Sequence, residues 1–593
     1  MASKPGRRTS LRLDLSHGAP LESPPGIAAL FLIRFDIKKG YVISWQESIP
    51  GIDLEGAVEY KSLPSGLHNV SEDLIYFVHD EYAGICAFVN QPAAEAERNA
   101  LMLAVGVLVP LSFGRLGKSW RHAAGLKKLA KQCANNISDT QALEEYWDKY
   151  HVRDNELRLE DTPPDSPAVL RTSLKADHPL RSRSSLSDAA GLETTKPFLA
   201  PYHPALSLPD FLENFGPLIF PLYRASLLRK RILIVTEAPV QISCDYVYAL
   251  ALLSSLPQSL SAFFDQDGTP PLRPRPIFNV GIHDIPFLST NSDTSSSWIA
   301  CTTDNVLATK TDLFDILVTM PTIYSPHNPQ KTFPKIEIVH RVDAQPKATK
   351  LVTLKATQRD GRRFVLLRDG LRRLSSAETE QDQKPNDNID DAASTFSSSS
   401  IIEPLSWPRL AYTSFLWWAS AGEKRAGLSE DEEEQDEQDT SLLPNTHQGG
   451  LAHPGLQSYE IDQPREIALI AYFRRLTTLI FTTLADAVAR QDAIDATDEF
   501  TATGEYHDDP DGDAESFSAD RDTNPLLPAT TDIHGKEEDL PHVSITSSDI
   551  SEMGLDMWSA TDRVFIEELL QIWWGRRADI NGTRIRCCGI PIL

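Results

Sequence analysis

The sequence predicts an α/β protein with two folded lobes, a downstream helical part and long disordered acidic inserts. Apolar runs typical of strands come first, between residues 28 and 110. Strands that alternate with helices follow, between residues 208 and 320. A strong helical period then runs over Gln463–Arg490, with acidic segments on both sides. The apolar core is therefore discontinuous along the chain.

Composition narrows the classes of partner. The chain has 593 residues, of which 41% are hydrophobic, and a formal net charge of −26. An acidic surface repels phosphate backbones, so we expect no nucleic-acid partner. The same charge disfavours non-specific adhesion to anionic membranes.

Cysteine usage and the N-terminus predict where the protein works. The 6 cysteines are scattered, without the spacing of a disulfide framework or a zinc site, which favours a reducing compartment. Residues 1–25 have no apolar core typical of a signal peptide, and no uninterrupted apolar window is long enough for a transmembrane helix. We expect a cytoplasmic protein, and peripheral contact with endomembranes stays open.

The first predicted lobe, over 27–152, starts with strands and ends with helices. Each strand is a short run of aromatic and β-branched residues bounded by polar turns. The predicted strands are Leu30–Phe35, Tyr41–Trp45, Leu74–Val78, Ile85–Asn90 and Leu101–Val109, and the helices are His122–Asn135 and Thr140–Tyr150.

The second predicted lobe, over 205–374, is a three-layer α/β lobe. Its strands are short, apolar throughout and separated by helices, which is typical of a sheet covered on both faces. The strands are Arg231–Val235, Pro276–Val280 and Trp298–Thr302, and the main helix is Ile242–Leu256. Phe333–His340, Lys350–Ala356 and Arg363–Arg368 are predicted to close it as a small antiparallel unit.

Shifts in composition set the other boundaries. Serine-rich and carboxylate-rich tracts cannot bury enough apolar surface to fold alone, so we expect them to be disordered. The predicted segments are a disordered leader over 1–26, a linker over 153–204, a disordered segment over 375–402, a downstream helix over 403–423, an acidic disordered insert over 424–462, a downstream helix over 463–490, a second acidic disordered insert over 491–552, and a C-terminal helix and strand over 553–593.

The sequence contains no recognisable catalytic signature. Ser112–Ser119 ends in Gly-Lys-Ser, but a phosphate-binding loop requires glycine where Ser112 stands. There is no Gly-x-Ser-x-Gly motif, and the histidines lack the spacing of metal ligands. We therefore predict no catalytic residue, no cofactor and no metal, and a protein that works by binding.

Several motifs carry a family resemblance. Leu63–Phe77 resembles the upstream lobe of the DENN module, and this match makes the first lobe an upstream DENN lobe with a longin-like fold. Phe211–Pro221, Phe278–Ile285 and Trp298–Asp304 resemble the central DENN lobe, whereas the downstream helices match loosely. Asp556–Arg576 is similar to the LCHN-like fungal branch of the family.

The resemblance implies a function. DENN proteins are guanine nucleotide exchange factors for Rab GTPases, so a Rab is the implied partner, held in a groove between the two lobes. The tentative partner-binding residues are those that match the core motif, although they could instead hold the central sheet together. They are Trp298, Thr302, Thr303, Asp304 and Asn305.

Two alternatives stay open at this point. The chain could be a non-catalytic Rab-binding scaffold or adaptor, because a fold does not determine an activity. It could also be an adaptor for lipid surfaces if one basic cluster is exposed. That cluster consists of Arg115, Lys118, Arg121, Lys127, Lys128 and Lys131.

Overall fold

In a computed structural model the chain forms two compact units. The first comprises residues 1–206 with 238–241, and the second 207–237 with 242–593. The structure describes residues 23–36, 38–92, 100–136, 139–152, 199–264, 269–290, 297–322, 332–341, 349–376, 401–419, 430–443, 464–502, 541–580, 586–587 and 590–591. Most of the predicted leader, the linker and the disordered segment over 375–402 lie outside these residues, as do 424–429, 444–462 and 503–540 of the predicted inserts.

The first unit is an antiparallel sheet with helices, as predicted. The strand order is β3-β4-β5-β1-β2. Its core contains Phe31, Leu67, Phe77 and Phe88. The elements are β1 (Ala29–Asp36), β2 (Gly40–Ser48), α1 (Val58–Ser62), β3 (Glu72–His79), β4 (Tyr82–Pro92), β5 (Ala100–Pro110), α2 (Ala123–Asn135) and α3 (Gln141–Tyr150).

A buried histidine ties the helices of this unit to its first described residues. His122 is fully buried before α2. Its Nδ1 lies 2.8 Å from the Tyr146 hydroxyl of α3, and its Nε2 lies 2.8 Å from the carbonyl oxygen of Pro25. Burial lowers the pKa of His122 to about 4, because the charged imidazolium would lose its hydration.

The second unit contains a mixed sheet surrounded by helices. The strand order is β11-β10-β9-β6-β8-β7, in which β9, β6, β8 and β7 are parallel and β10 and β11 are antiparallel. In chain order, the elements from the start of this unit to β11 are α4 (Leu208–Phe215), α5 (Ile219–Leu227), β6 (Ile232–Val235), α6 (Gln241–Leu253), β7 (Arg275–Asn279), α7 (Ile285–Thr290), β8 (Trp298–Thr302), α8 (Asn305–Ala308), β9 (Ile316–Thr319), β10 (Lys335–Arg341) and β11 (Thr349–Thr353).

The remaining elements of the second unit are mostly helical. They are α9 (Gln358–Ser376), α10 (Trp407–Ala419), α11 (Glu430–Ser441), α12 (Arg465–Ala502), β12 (His542–Ile545), α13 (Ser547–Glu552), α14 (Ala560–Trp574), β13 (Arg577–Ile580), β14 (Arg586–Cys587) and β15 (Ile590–Pro591). The α/β class and the helical downstream part are thus confirmed.

One predicted strand is a helix. Arg363–Arg368 lies inside α9 rather than in an antiparallel unit. Phe364, Leu367 and Leu371 are all buried, and their spacing of three and four residues places them on one helical face. The run Phe364–Leu367 is apolar throughout, and so short an apolar run does not distinguish a strand from a helix.

The predicted acidic inserts are ordered where the structure describes them. Residues 430–441 form α11, residues 491–502 continue α12, and residues 541–552 contain β12 and α13. The prediction of disorder is wrong for these residues. For α11 the physical reason is charge neutralisation, because its carboxylates face arginines of α9 and α10.

A buried ionic network joins four helices of the second unit. Arg224 of α5 donates to Asp360 of α9 through two bonds of 2.9 and 2.6 Å. Its Nε lies 3.3 Å from Asp562 of α14. Asp439 of α11 lies 3.2 Å from Arg359 and 2.6 Å from Arg363, both on α9. These side chains are almost completely buried, so each charge depends on its partner.

The long helix α12 lies in the core of this unit. Arg465–Thr497 is long and apolar enough to cross a membrane, and 56% of its most apolar window is buried inside the protein. Phe473 packs on Tyr223 with ring centroids 5.0 Å apart, and Phe481 packs on Trp573 at 5.3 Å. Trp573 is 2% exposed and belongs to the same core.

We expect the first unit to lose stability in acid through His122. Its pKa is about 4 in the folded chain and near 6.5 when unfolded, so the stabilisation is complete above pH 6.5 and declines as the pH falls towards 4. At pH 5 the loss is about 2 kcal/mol. Denaturant titrations between pH 7.5 and 5, in roughly half-unit steps, should therefore show a steeper decline for wild type than for His122→Asn. Parallel pH profiles for the two proteins would contradict this assignment.

We expect the opposite pH dependence from Asp562. Burial is the largest effect and, with Asp360 and Asp556 nearby, raises its pKa to about 7 despite the neighbouring Arg224. A raised carboxyl pKa gives a stabilising contribution that is complete below the unfolded pKa and is lost as the pH rises through about 7.

The comparison is between wild type and Asp562→Asn, which cannot ionise. From about pH 5 to pH 8 the unfolding free energy of wild type should fall relative to that of the variant. A difference that stays constant across this range would mean that Arg224 keeps the carboxylate ionised in the folded chain.

Candidate partner-binding site

The order of the parallel strands in the second unit predicts a binding position at their carboxyl ends. The sheet order is β9-β6-β8-β7, so the chain leaves β6 towards β7 in one direction and leaves β8 towards β9 in the other. Ligands of open α/β sheets bind where neighbouring strands send their connections in opposite directions. This point lies between β6 and β8, where the N–H of Thr236 donates to the carbonyl of Thr302 at 2.9 Å. The predicted residues Thr302–Asn305 lie at this edge.

Two of the five predicted site residues lie in the interior. Trp298 is 2% exposed and belongs to a core cluster with Ile277 and Leu317, and its indole N–H has no hydrogen-bond partner among the described residues. Thr302 is fully buried, and its hydroxyl accepts the N–H of Asp304 at 3.1 Å. Neither residue is accessible to a partner, and Trp298 begins β8 and therefore lies at the opposite end of that strand from the carboxyl edge.

The other three lie on the rim of the edge. Thr303 and Asp304 are half-buried and Asn305 is exposed. Asp304 also accepts the N–H of Ile282 at 3.2 Å, so it holds the loop after β7 beside the loop after β8. Gly281 permits this approach, since a Cβ there would lie 3.3 Å from the Asp304 carboxylate.

Two apolar side chains that the sequence analysis did not select complete this rim. Ile282 is 46% exposed in the segment after β7, and Val306 is 50% exposed in α8, which follows β8. Asp304 precedes α8 and accepts the Ile282 N–H, so it links the two segments. Both residues lie three or four positions after a strand end, but their exposure depends on the order of the strands. We call Ile282, Thr303, Asp304, Asn305 and Val306 the carboxyl-edge surface.

The segment Asp312–Asp315, which precedes β9, has a structural role. Asp315 accepts Nη2 of Arg231 at 2.7 Å and Nε at 3.1 Å, and also the Arg231 backbone N–H at 2.9 Å. Burial raises the pKa of Asp315, but the bonds from Arg231 outweigh it and lower the pKa overall. This clamp fixes the start of β6 against the start of β9 and so supports the edge.

The motif Leu63–Phe77 of the first unit is also largely structural. Leu67 is 2% exposed and contributes to the core. The buried carboxylate of Asp73 accepts the N–H groups of Val240 at 2.7 Å and Gln241 at 3.2 Å. Asp73 therefore holds segment 238–241 in this unit.

The basic cluster of the first unit has acidic neighbours. Lys131 forms a salt bridge of 2.8 Å with Glu72. Lys127 lies over the ring of Tyr202 at 5.3 Å. Burial raises the pKa of the nearby Asp73, and the backbone N–H groups that it accepts and Lys127 offset only part of that rise. These neighbours reduce the positive potential that a lipid surface would require.

The described part of the chain contains no cluster of three or more histidine, cysteine or acidic side chains that could hold a metal. What the carboxyl-edge surface offers is an apolar pair flanked by one carboxylate and polar groups. This arrangement suits recognition of another protein better than bond-making chemistry.

Two family models match the chain. A family model described as DENN domain-containing protein 11 matches residues 30–330, and one described as a domain of unknown function, DUF4484, matches residues 402–593. The chain is 31% identical over 299 residues to DENN domain-containing protein 11 of Danio rerio, and 32% identical over 293 residues to that of Xenopus laevis.

These alignments cover 50% and 49% of this chain and 54% and 59% of the relatives, so the chain spans little more than half their length. A longer alignment is found with the uncharacterized protein ANR2 of Saccharomyces cerevisiae. The two sequences are 23% identical over 602 residues, and the alignment covers 94% of this chain and 93% of that relative.

The placement of the predicted residues leads to a stability test. Trp298→Ala should lower the unfolding free energy by about 3–5 kcal/mol, because it leaves a large cavity. Trp298→Phe should cost much less, because it removes only part of the ring and an N–H without a partner. Asn305→Ala should stay within about 0.5 kcal/mol of wild type. Denaturant titration measures all three, and a tolerated Trp298→Ala would contradict the buried placement.

Proposed function

The chain belongs to the DENN domain-containing protein 11 family, and from this we propose that it is a guanine nucleotide exchange factor for a Rab GTPase. It would promote GDP release in membrane trafficking. The site of action would be the cytoplasm, with peripheral contact with endomembranes. The Rab is the proposed partner, with neither a cofactor nor nucleic acid required.

The observation that carries the proposal is the carboxyl-edge surface. Exposed apolar side chains beside polar rim groups are typical of the centre of a protein interface. Ile282 and Val306 provide the apolar part, and Asp304 fixes their loops in one arrangement. A preformed surface of this kind loses little conformational entropy on binding.

Exchange requires selective binding rather than covalent chemistry. A GTPase holds its nucleotide partly through Mg²⁺ and ordered switch loops. A protein that binds the open or empty state more tightly than the GDP-bound state shifts the population towards nucleotide release. Equal affinity for both states would shift nothing, however tight the binding. The carboxyl-edge surface would supply part of this preference.

The decisive measurement is release of a fluorescent GDP analogue from a panel of purified Rabs, with and without the chain. We expect faster release from one or a few of them. Ile282→Asp and Val306→Asp should each reduce this acceleration by about tenfold or more, because each buries a charge in the interface. Val564→Asp is the matched control, since Val564 is 49% exposed on α14, away from this edge in the sequence.

Absence of acceleration for every Rab, in solution or on membranes, by protein shown to be folded would overturn exchange activity. Equal loss in the Val564→Asp control would instead leave the activity and remove the carboxyl-edge surface from the mechanism. Preferential binding to GTP-bound Rab without acceleration would favour the alternative of a non-catalytic Rab-binding scaffold or adaptor.

A further inference from the structure

We propose that Cys244 and Cys301 of the second unit are an oxidative modification site, at which a peroxide converts the two thiols into a reversible disulfide. Cys244 lies in α6 and Cys301 in β8. Their Sγ atoms are 3.6 Å apart, although 57 positions separate the two residues in the sequence. Both cysteines are thiols in the structure. This proposal is independent of the exchange activity.

The geometry of the pair is close to that of a disulfide. A disulfide bond is about 2.0 Å long, so the two sulfurs must approach each other by roughly 1.5 Å. Small rotations of the two side chains cover such a distance without a change of fold. Cys301 is held on both sides in the sheet, by Ile234 of β6 and Asn279 of β7. The approach therefore comes mainly from Cys244 on the helix.

The fold, not the spacing in the sequence, creates this pair. The other two cysteines with described side chains, Cys86 and Cys133, both lie in the first unit. Disulfides that occur in a reducing compartment are usually transient and redox-sensing. A single pair that two packed elements bring into contact fits this class, whereas a structural framework would need several bonds.

The first turn of α6 controls access to the pair. Both thiols are fully buried, so oxidation requires a local opening. Helices open most readily at their ends, where the backbone groups lack intrahelical partners. Ile242 of the same turn is 45% exposed, so Cys244 needs only a short displacement to meet solvent. The Asp73 carboxylate accepts the Gln241 N–H and holds this turn closed, which makes oxidation slow.

The reaction balances with one molecule of hydrogen peroxide. In the open state the Cys244 thiolate attacks a peroxide oxygen, so an S–O bond forms, the O–O bond breaks and, after protonation, one water leaves. The Cys301 sulfur then attacks the Cys244 sulfur, so the S–S bond forms, the S–O bond breaks and a second water leaves. The two thiols lose two electrons and two protons, and the peroxide is reduced to two waters. A dithiol reductant reverses the oxidation.

The disulfide would hold the strand end that supports the carboxyl-edge surface. Cys301 directly precedes Thr302 in β8. Its carbonyl accepts the N–H of Val280 at 2.9 Å, and Val280 begins the segment that carries Ile282. Oxidation therefore ties both segments of this surface to α6 and reduces their motion.

The test treats folded full-length protein with hydrogen peroxide, alkylates the remaining thiols and maps the peptides by mass spectrometry. We expect a linked pair of peptides that contain Cys244 and Cys301 and that a dithiol reductant separates. Oxidation should also raise the urea midpoint of unfolding by roughly 0.5–1 M, because the bond closes a long loop. Cys244→Ala should abolish both effects. Cys86→Ala, which removes another fully buried thiol, is the matched control and should retain both.

Absence of the linked pair from folded wild type, or its equal loss in the Cys86→Ala control, would overturn the proposal. A disulfide that forms only in urea would also overturn it, because the native contact would then play no part. If Cys244→Ala does not fold, the peptide map of wild type decides. Amides of 303–306 should exchange more slowly after oxidation, and unchanged exchange would contradict the effect on the carboxyl-edge surface.

Discussion

The second unit depends on the buried ionic network of Arg224, Arg359 and Arg363 with Asp360, Asp439 and Asp562. Its three guanidinium groups face three carboxyl groups, of which Asp562 has a pKa that burial raises to about 7. Since a buried charge without its partner costs several kcal/mol, α5, α9, α11 and α14 are coupled in folding. Arg224 lies in the region matched by the DENN model, Asp439 and Asp562 lie in the region matched by DUF4484, and α9 lies between them. The part of the DENN-matched region that lies in the second unit therefore shares one compact unit with the region matched by DUF4484.

This constraint extends to the carboxyl-edge surface. Arg224 lies in α5, which leads directly into β6, and Arg231 at the start of β6 is clamped by Asp315 before β9. The Arg224 network and the Arg231–Asp315 clamp together fix one end of the parallel sheet. The loops at the other end of the sheet therefore start from rigidly held strands. Asp304 then joins two of those loops. The geometry of the apolar rim thus depends on Arg224, Arg231 and Asp315, which lie away from the rim, as well as on Asp304 within it. Precise recognition requires rigid support of this kind.

Sequence reasoning succeeded where burial follows a simple period. The strands of both units, α12 and the place of Trp573 were predictable, because apolar spacing reports the buried face directly. It failed for α11, whose stabilising partners are arginines about 70 residues earlier in the chain and whose own sequence has no apolar period. At the candidate site the turn Thr302–Asn305 was predictable by resemblance. Ile282 and Val306 were not, because strand order rather than local sequence brings their loops together.

The same carboxylate–arginine chemistry serves two purposes in this unit, and burial separates them. Arg224 and Asp360 lie deep among helices, where salt has little effect and the pair is permanent. Arg362 with Glu432 and Asp436 lies nearer the surface, where each ion pair contributes less. Asp439 of the same helix belongs to the buried class, because it pairs with Arg359 and Arg363 in the interior. α11 is therefore held mainly by its one buried carboxylate, and its outer ion pairs add to that attachment only weakly.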